Sequence, residues 1–491
     1  MEIKQVGIIG AGVTGLVTAK TFLEEGYQVT VFEKQKGLGG VWEKSRSYPE
    51  LTTQTPGNIY SFSDYPMPQS YPLRPTAEHI RDYLKSYAQH FGVLDRIKYG
   101  ANVINVEKRT DNQPGWEVNV RFQDENEGQI TEIKYFFDFI VVCNGVFSTP
   151  KIPTLPGVEE FKANGGVVLH SSEFNDASVI SGKRVAVVGF GNSSADIAAY
   201  AVDKAQECTL IFRKTKWKLP EYILGLFHVQ YIVLSRFSQF VHGAKNPLSQ
   251  ITKPLSWVFW RLVEICLRLQ FRIDSCGMRP EQAIDKLVNC RLYIRLSSVD
   301  FYKHIRSGKL KTQKTEITRF VPGGVKLANG ESLQADVVIF GTGFRKDISF
   351  LSPEYRQKIL DDRGLVLMYR NMIHPDIPRM GFNGYNGGIF GSLMSEVSAR
   401  WLTEYLKGNL KVPSRQQMLE VIESTYDSID PNKCIPQSMF KPIDQLMTDL
   451  GANPHRYGPN LIAEYLLPIN PSGYHNLQQE LLIKNHQKEH K

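Results

Sequence analysis

Short, almost wholly apolar runs recur along this chain, and two of them are ended by a glycine turn and followed by residues at helical spacing. The first, Val6-Gly7-Ile8-Ile9, breaks into Gly10-Ala11-Gly12-Val13-Thr14-Gly15 and continues as Leu16-Val17-Thr18-Ala19. An apolar run of this length closed by a turn is the pattern of a strand buried on both faces. The glycines predict a tight strand–turn–helix unit. Gly10 makes the turn, Gly12 admits a pyrophosphate close to the backbone, and Gly15 lets helix and strand pack. The helix start contributes unpaired N–H groups and the positive end of its dipole. A second apolar run, Gln28–Phe32, ends in Glu33, 23 positions beyond Gly10. That is where an acid accepts hydrogen bonds from a ribose. Residues 76–92 then read as an amphipathic helix.

Further on, the pattern changes and then repeats. Three β-like stretches (102–108, 115–122 and 130–136) with polar turns predict an antiparallel meander inserted into the wound sheet. It leads into the apolar run Asp138 to Gly145 and the stiff, Pro-rich connector 148–156. Residues 183–196 again read as strand, glycine turn and helix start, with Gly189, Gly191, Asn192, Ser193, Ser194 and Asp196. Ser194 stands where the third glycine would be and is small enough to keep the packing. The paired strand ends not in an acid but in Arg213, 24 positions beyond Gly189, followed by Lys214. An acid there would repel a 2′-phosphate, whereas an arginine clamps it. The first site should therefore take FAD and the second NADPH. A second meander at 311–331 leads into Asp336 to Phe344, which parallels Asp138 to Gly145.

This internal repeat predicts an α/β protein of two Rossmann-like dinucleotide-binding domains, the NADP domain inserted within the FAD domain. The expected boundaries are 1–152 and 331–445 for the FAD domain and 153–330 for the NADP domain. A helical insert is expected at about 218–295 and a C-terminal extension at 446–491. The insert is rich in Trp, Phe, Leu and Ile. It reads as packed helices forming a cap or an oligomer contact, with a membrane-surface element as the alternative. Residues 222–235 carry no formal charge but are too few to span a bilayer. The polar residues from about 476 are expected to fray.

Two loops carry candidate chemistry. Gly39-Gly40-Val41-Trp42 permits a second close backbone approach and offers a flat ring that either lies beside a cofactor or anchors the loop. Residues 51–68 bring Thr53, Gln54, Thr55 and Asn58, uncharged hydrogen-bonding groups that can hold a flavin without titrating.

Composition refines this picture only slightly. The 491 residues require more than one core, and 42% hydrophobic with 22% charged is ordinary for a globular chain. A net charge of +8 without a Lys/Arg block does not point to nucleic acid. Six cysteines without a C-x-x-C pair speak for a reducing compartment, the cytoplasm, and against zinc or a disulfide framework.

Taken together, the motifs resemble the flavin-containing monooxygenase family, class B flavoprotein monooxygenases, over nearly the whole length. The resemblance rests on Gly10-x-Gly12-x-x-Gly15 with Glu33, Gly39-Gly40-x-Trp42, and Phe62-Ser63-Asp64-Tyr65-Pro66. It continues with Gly189-x-Gly191-Asn192-Ser193, Arg213 with Trp217, Gly341-Thr342-Gly343-Phe344, and Glu396-x-x-x-Arg400-Trp401. Residues 374–382, Gly451-x-Asn453-Pro454 and the long insert look closest to the branch containing plant N-hydroxypipecolate-forming enzymes. The family's identifying sequence is F-x-G-x-x-x-H-x-x-x-(Y/F). Gly166, His170 and Phe174 fit it, but Asn164 takes the first aromatic place and Phe161 lies upstream. Gln54 stands where the family usually has Asn.

The resemblance implies an NADPH- and O2-dependent enzyme that oxygenates a soft nucleophile through a C4a-hydroperoxyflavin, an amine nitrogen by N-hydroxylation or N-oxidation, with sulfide sulfur as the alternative. It implies Thr342 and Gly343 as further cofactor contacts, Gln54 as the residue beside the reacting oxygen, and His170 as structural. A Baeyer–Villiger enzyme is the rival within the same chemistry, disfavoured by Phe174 where that group has Trp. An inactive dinucleotide-binding sensor is the rival outside it.

Overall fold

A computed structural model of the chain describes residues 3–111, 113–123, 130–237, 249–284, 294–295, 300–386, 388, 390–427 and 440–489. Two five-stranded parallel sheets organise them. In the first, Gln5–Ile9 is central, between Gln28–Phe32 and Phe139–Val142. Ile97–Lys98 closes one edge and Met380–Phe382 the other. Val6, Ile8, Ile140, Val141 and Val142 are fully buried, because a sheet covered on both faces has no wet side.

The second sheet repeats that order. Arg184–Val188 is central, between Glu207–Phe212 and Val337–Phe340, with Leu310–Lys314 and Val167–His170 at the edges. In both sheets the strand order reverses at the central strand, so each glycine turn sits where a ligand crevice opens. The chain returns to the first sheet only at Met380–Phe382, which makes the second unit an insertion in the first.

Several sequence expectations need correction. Val337–Phe340 pairs beside Arg184–Val188, so the second unit ends at about residue 340 rather than 330. Its four buried residues need a strand on each side, as Phe139–Val142 does in the first sheet. The boundary expected after 445 falls inside helix Lys441–Leu450, which packs on Gly391–Leu406. The tail forms a helix, Leu477–Glu489, because Leu477 and Leu481, one turn apart, are both buried. The insert is not purely helical. Tyr222–Ile223 pairs with Phe227–His228 before helices Val229–Val233 and Ser249–Phe271, and Lys218–Leu219 pairs with Ile294–Arg295 beyond them. The meanders form three-stranded antiparallel sheets of their own, starting at Ala101–Lys108 and Ile317–Val321. Among the described residues, no helix is long and apolar enough to cross a membrane.

The two segments that cross between the units bind each other, Thr149–Pro150 pairing antiparallel with Phe344–Arg345. His170 sits at this joint. Its Nε2 meets the Gly343 carbonyl at 2.9 Å, its Nδ1 meets Ser172 Oγ at 2.9 Å, and its ring packs edge-on against Phe344. Burial holds its pKa below the usual histidine value. A neutral, doubly engaged imidazole here is structural. Gly166 lies against the ring of Phe161, where an added Cβ would come within 2.4 Å. The aromatic contact expected from residue 164 is thus supplied from 161.

Candidate active site

The first glycine turn is closed by backbone alone. Gly10 has φ +106°, and a Cβ there would stand 2.7 Å from the Cys143 carbonyl oxygen. A Cβ on Gly15 would fall 1.8 Å from the Gly10 carbonyl oxygen, so helix and strand touch without a side chain between them. The Gly39-Gly40 loop lies directly against the turn. Gly39 N–H donates to the Ala11 carbonyl at 2.9 Å, and a Cβ on Gly40 would meet Gly12 Cα at 3.1 Å. Glu33 accepts from Ala11 N–H at 2.8 Å and from Gln35 N–H at 2.9 Å. Burial raises its pKa against the pull of those two bonds. Gly12 caps helix Val13–Glu24 with no side-chain hydrogen bond. This paired-glycine cradle, with a carboxylate beside an uncapped helix start, fits a dinucleotide.

Thr14 is placed otherwise than a simple phosphate contact would be. Its Oγ1 meets Ser395 Oγ at 2.8 Å. Asn383 Nδ2 donates to Thr18 Oγ1 at 3.0 Å and to the Ser395 carbonyl at 2.8 Å. These bonds dock the returning segment onto the first helix. Sequence reasoning missed them, and their only trace is a polar residue directly after the apolar Met380–Phe382 run. Trp42 is an anchor. Its Nε1 donates to Tyr60 Oη at 2.7 Å, and its carbonyl accepts from Arg81 at 2.9 Å. Val41 beside it is partly exposed. Thr53 and Thr55 are buried and joined by a hydrogen bond of 2.8 Å, whereas Gln54 between them faces outward.

The second turn solves the same packing problem differently. Gly189 again has positive φ, +119°, and Gly191 caps its helix without a side-chain bond. This helix stands off far enough to admit Ser194, whose Oγ donates to the Gly341 carbonyl at 3.2 Å. A Cβ on Gly341 would lie 2.0 Å from that Oγ. The first unit has glycine on the helix and Cys143 at the strand end, while the second has serine on the helix and glycine at the strand end. Arg213 and Lys214 lie exposed at the end of Glu207–Phe212, Arg213 paired with Glu316 at 3.8 Å. Thr342 Oγ1 donates to the Lys151 carbonyl, and the Gly343 carbonyl accepts from Lys151 N–H at 2.9 Å. Thr342 and Gly343 therefore belong to the joint between the units.

A polar clasp joins the two units beside this helix start. Tyr48, from the first unit, donates to Asp196 Oδ2 at 2.9 Å and bonds Ser193 as well. Burial lifts Asp196 to about 6, against the Tyr48 bond and the charges of Lys218 and Arg74. Asn192 Oδ1 is buried without a hydrogen-bond partner, an acceptor held ready at the helix start. Lys218 is fully buried with its ammonium over the Phe190 ring at 4.7 Å, and burial pushes it down to about 7. Neither Tyr48 nor Lys218 had been legible as a site neighbour.

The model of the flavin-binding monooxygenase-like family matches residues 3–456. The chain belongs to this family. Among its relatives, a probable flavin-containing monooxygenase 1 of Arabidopsis thaliana is 30% identical, with 97% of each chain covered. The dimethylaniline monooxygenase (N-oxide-forming) 2 of Oryctolagus cuniculus is 28% identical over 92% of this chain and 83% of its own. In fold, this flavin monooxygenase is similar to S-allyl-L-cysteine S-oxygenase from Allium sativum, with TM-score 0.61 and 20% identity. That match covers 99% of this chain and 93% of the other. It is similar also to cyclohexanone monooxygenase from Rhodococcus sp. Phi1 bound to NADP+, with TM-score 0.64, 18% identity and 99% and 98% coverage. The protein is thus an FAD-dependent NADPH monooxygenase acting with O2 on a small molecule.

Proposed function

We propose that this monooxygenase places one oxygen atom from O2 on the nitrogen of a small amine, by N-hydroxylation or N-oxidation. The nitrogen is supported by N-oxide formation in the names of relatives that span 92% of the chain. The observation that carries the site is Gln54, an uncharged amide turned outward between two buried threonines. Bound FAD, reduced by NADPH, supplies the activation of O2. The protein's share is positioning and shielding. Glu33 and the Gly12–Gly40 cradle hold one dinucleotide. The uncapped helix start at Asn192 and Ser193 holds the other, with Arg213 and Lys214 on its 2′-phosphate. Gln54 donates hydrogen bonds next to the reacting oxygen and offers no acidic proton there. An electron-rich nitrogen needs no acid–base triad to be oxygenated by such a site.

The test uses the flavin-loaded protein, NADPH oxidation and a panel of cyclic amino acids, primary amines and sulfides. Products are read by mass spectrometry for the gain of one oxygen, and oxygenated amines are expected. Turnover confined to sulfides, or conversion of ketones to esters, would overturn the nitrogen reading. A colourless protein that consumes no NADPH would make it a binding protein instead. Gln54→Leu is expected to leave flavin reduction by NADPH largely intact while raising the hydrogen peroxide released per NADPH consumed. An unchanged ratio would make Gln54 an ordinary loop residue.

A further inference from the structure

Helix Ser249–Phe271 carries two apolar faces. One, with Trp260, Val263, Leu267 and Phe271, is buried in the core. On the other, Leu255, Val258, Leu262, Ile265 and Leu269 are all exposed, the leucines at 63%, 57% and 68%. Their spacing is three, four, three, four, the heptad seam by which one helix packs on another. We propose that this seam docks against the same seam of a second copy of the chain, giving a two-fold dimer.

Area, neighbours and charge agree with that occupant. With Trp257 at the flank, also exposed, the seam offers on the order of 600 Å² of apolar surface, at the top of the range usual for the largest patch on a monomer. The adjoining hairpin enlarges it. Gln270 accepts from Leu224 N–H at 2.9 Å and donates to the Tyr222 carbonyl at 2.9 Å, which fixes the hairpin beside the end of the helix. Leu226, 75% exposed, and Phe227 project from that hairpin. The sum is on the order of the 800 Å² per partner of a standard interface. The seam is only about two heptads long, too short for a free coiled coil. It can serve because the helix is already held from behind by the core. The flanking arginines bring no unbalanced repulsion, since Arg261 pairs with Glu264 at 2.6 Å and Arg268 with Asp274 at 2.8 Å. A bilayer surface draws on unpaired cations beside the apolar face, whereas Arg261 and Arg268 beside this seam are both paired with acids.

The test is sedimentation of the flavin-loaded full chain at micromolar concentration. The wild type is expected as a dimer, and Leu262→Glu with Ile265→Glu should halve the mass while leaving flavin content and NADPH oxidation unchanged. Leu262→Asn, a milder change, should weaken the dimer if the charged variant fails to fold. A wild type that stays monomeric, or a dimer that persists in both variants, would overturn the proposal. So would a monomer that pellets with phosphatidylcholine–phosphatidylserine vesicles, which would give the face to a membrane.

Discussion

Arg213 holds its guanidinium largely in solvent, where its pairing with Glu316 at 3.8 Å is worth about 0–1 kcal/mol. A 2′-phosphate, accepting two charge-assisted bonds, displaces such a partner easily. Arg213→Ala should therefore raise KM for NADPH about ten- to a hundredfold, the equivalent of ~1.5–3 kcal/mol, and leave that for NADH nearly unchanged. Equal losses with both cofactors would move the phosphate elsewhere. Ser194 and Gly341 give a second residue-scale prediction. Gly341→Ala drives a methyl into Ser194 and should lower the melting temperature and NADP affinity. Adding Ser194→Gly should restore part of both, with a coupling of about 0.5–3 kcal/mol in a double-mutant cycle. Gly15→Ala has no such rescue, because its clash is with the backbone oxygen of Gly10.

Helices Val13–Glu24 and Gly391–Leu406 meet through charge as well as packing. Glu396 accepts from Ser63 N–H at 3.0 Å and from its hydroxyl, Lys20 pairs with Glu24 at 2.9 Å and with Asp64, and Arg400 holds Glu24 at 3.1 Å. Burial, with Asp64 nearby, lifts Glu396 to about 7. The folded state then keeps a proton that the unfolded chain releases near the ordinary carboxylate value. The stability from this group is complete below that value and is lost as pH rises toward 7. Glu396→Gln keeps an acceptor for Ser63 without the titration. Denaturant unfolding from pH 5 to 8 should show the wild type losing stability relative to this variant. A constant difference between the two would place the charge elsewhere.

Across the whole molecule, what was legible in the sequence was what repeats. Apolar runs closed by glycine turns have a period, so the central strands of both wound sheets, the first meander and the helix Ala77–His90 could be placed from local pattern, whereas the second meander, expected from 311, begins at Ile317 because Leu310–Lys314 pairs parallel with Glu207–Phe212 in the wound sheet. Contacts made once have no period. Tyr48 reaches Asp196 across 148 residues, and Thr14 reaches Ser395 across 381, so neither could be read in advance. The domain edge at 330 went astray because Val337–Phe340 looks alike whichever sheet receives it. That nesting also orders the making of the protein in time. Val142 leaves the ribosome 238 residues before Met380, the start of the strand that covers its sheet edge. At about 5–20 residues per second this is roughly 12–50 seconds. During that interval an apolar strand has one side unpaired, the kind of edge that recruits other chains. The sheet of the inserted unit lies wholly within residues 167–340 and can close in the meantime. The unit begun first is thus finished last, and a nascent chain that has emerged only to between residues 340 and 380 carries a completed second sheet on a first sheet still open to aggregation.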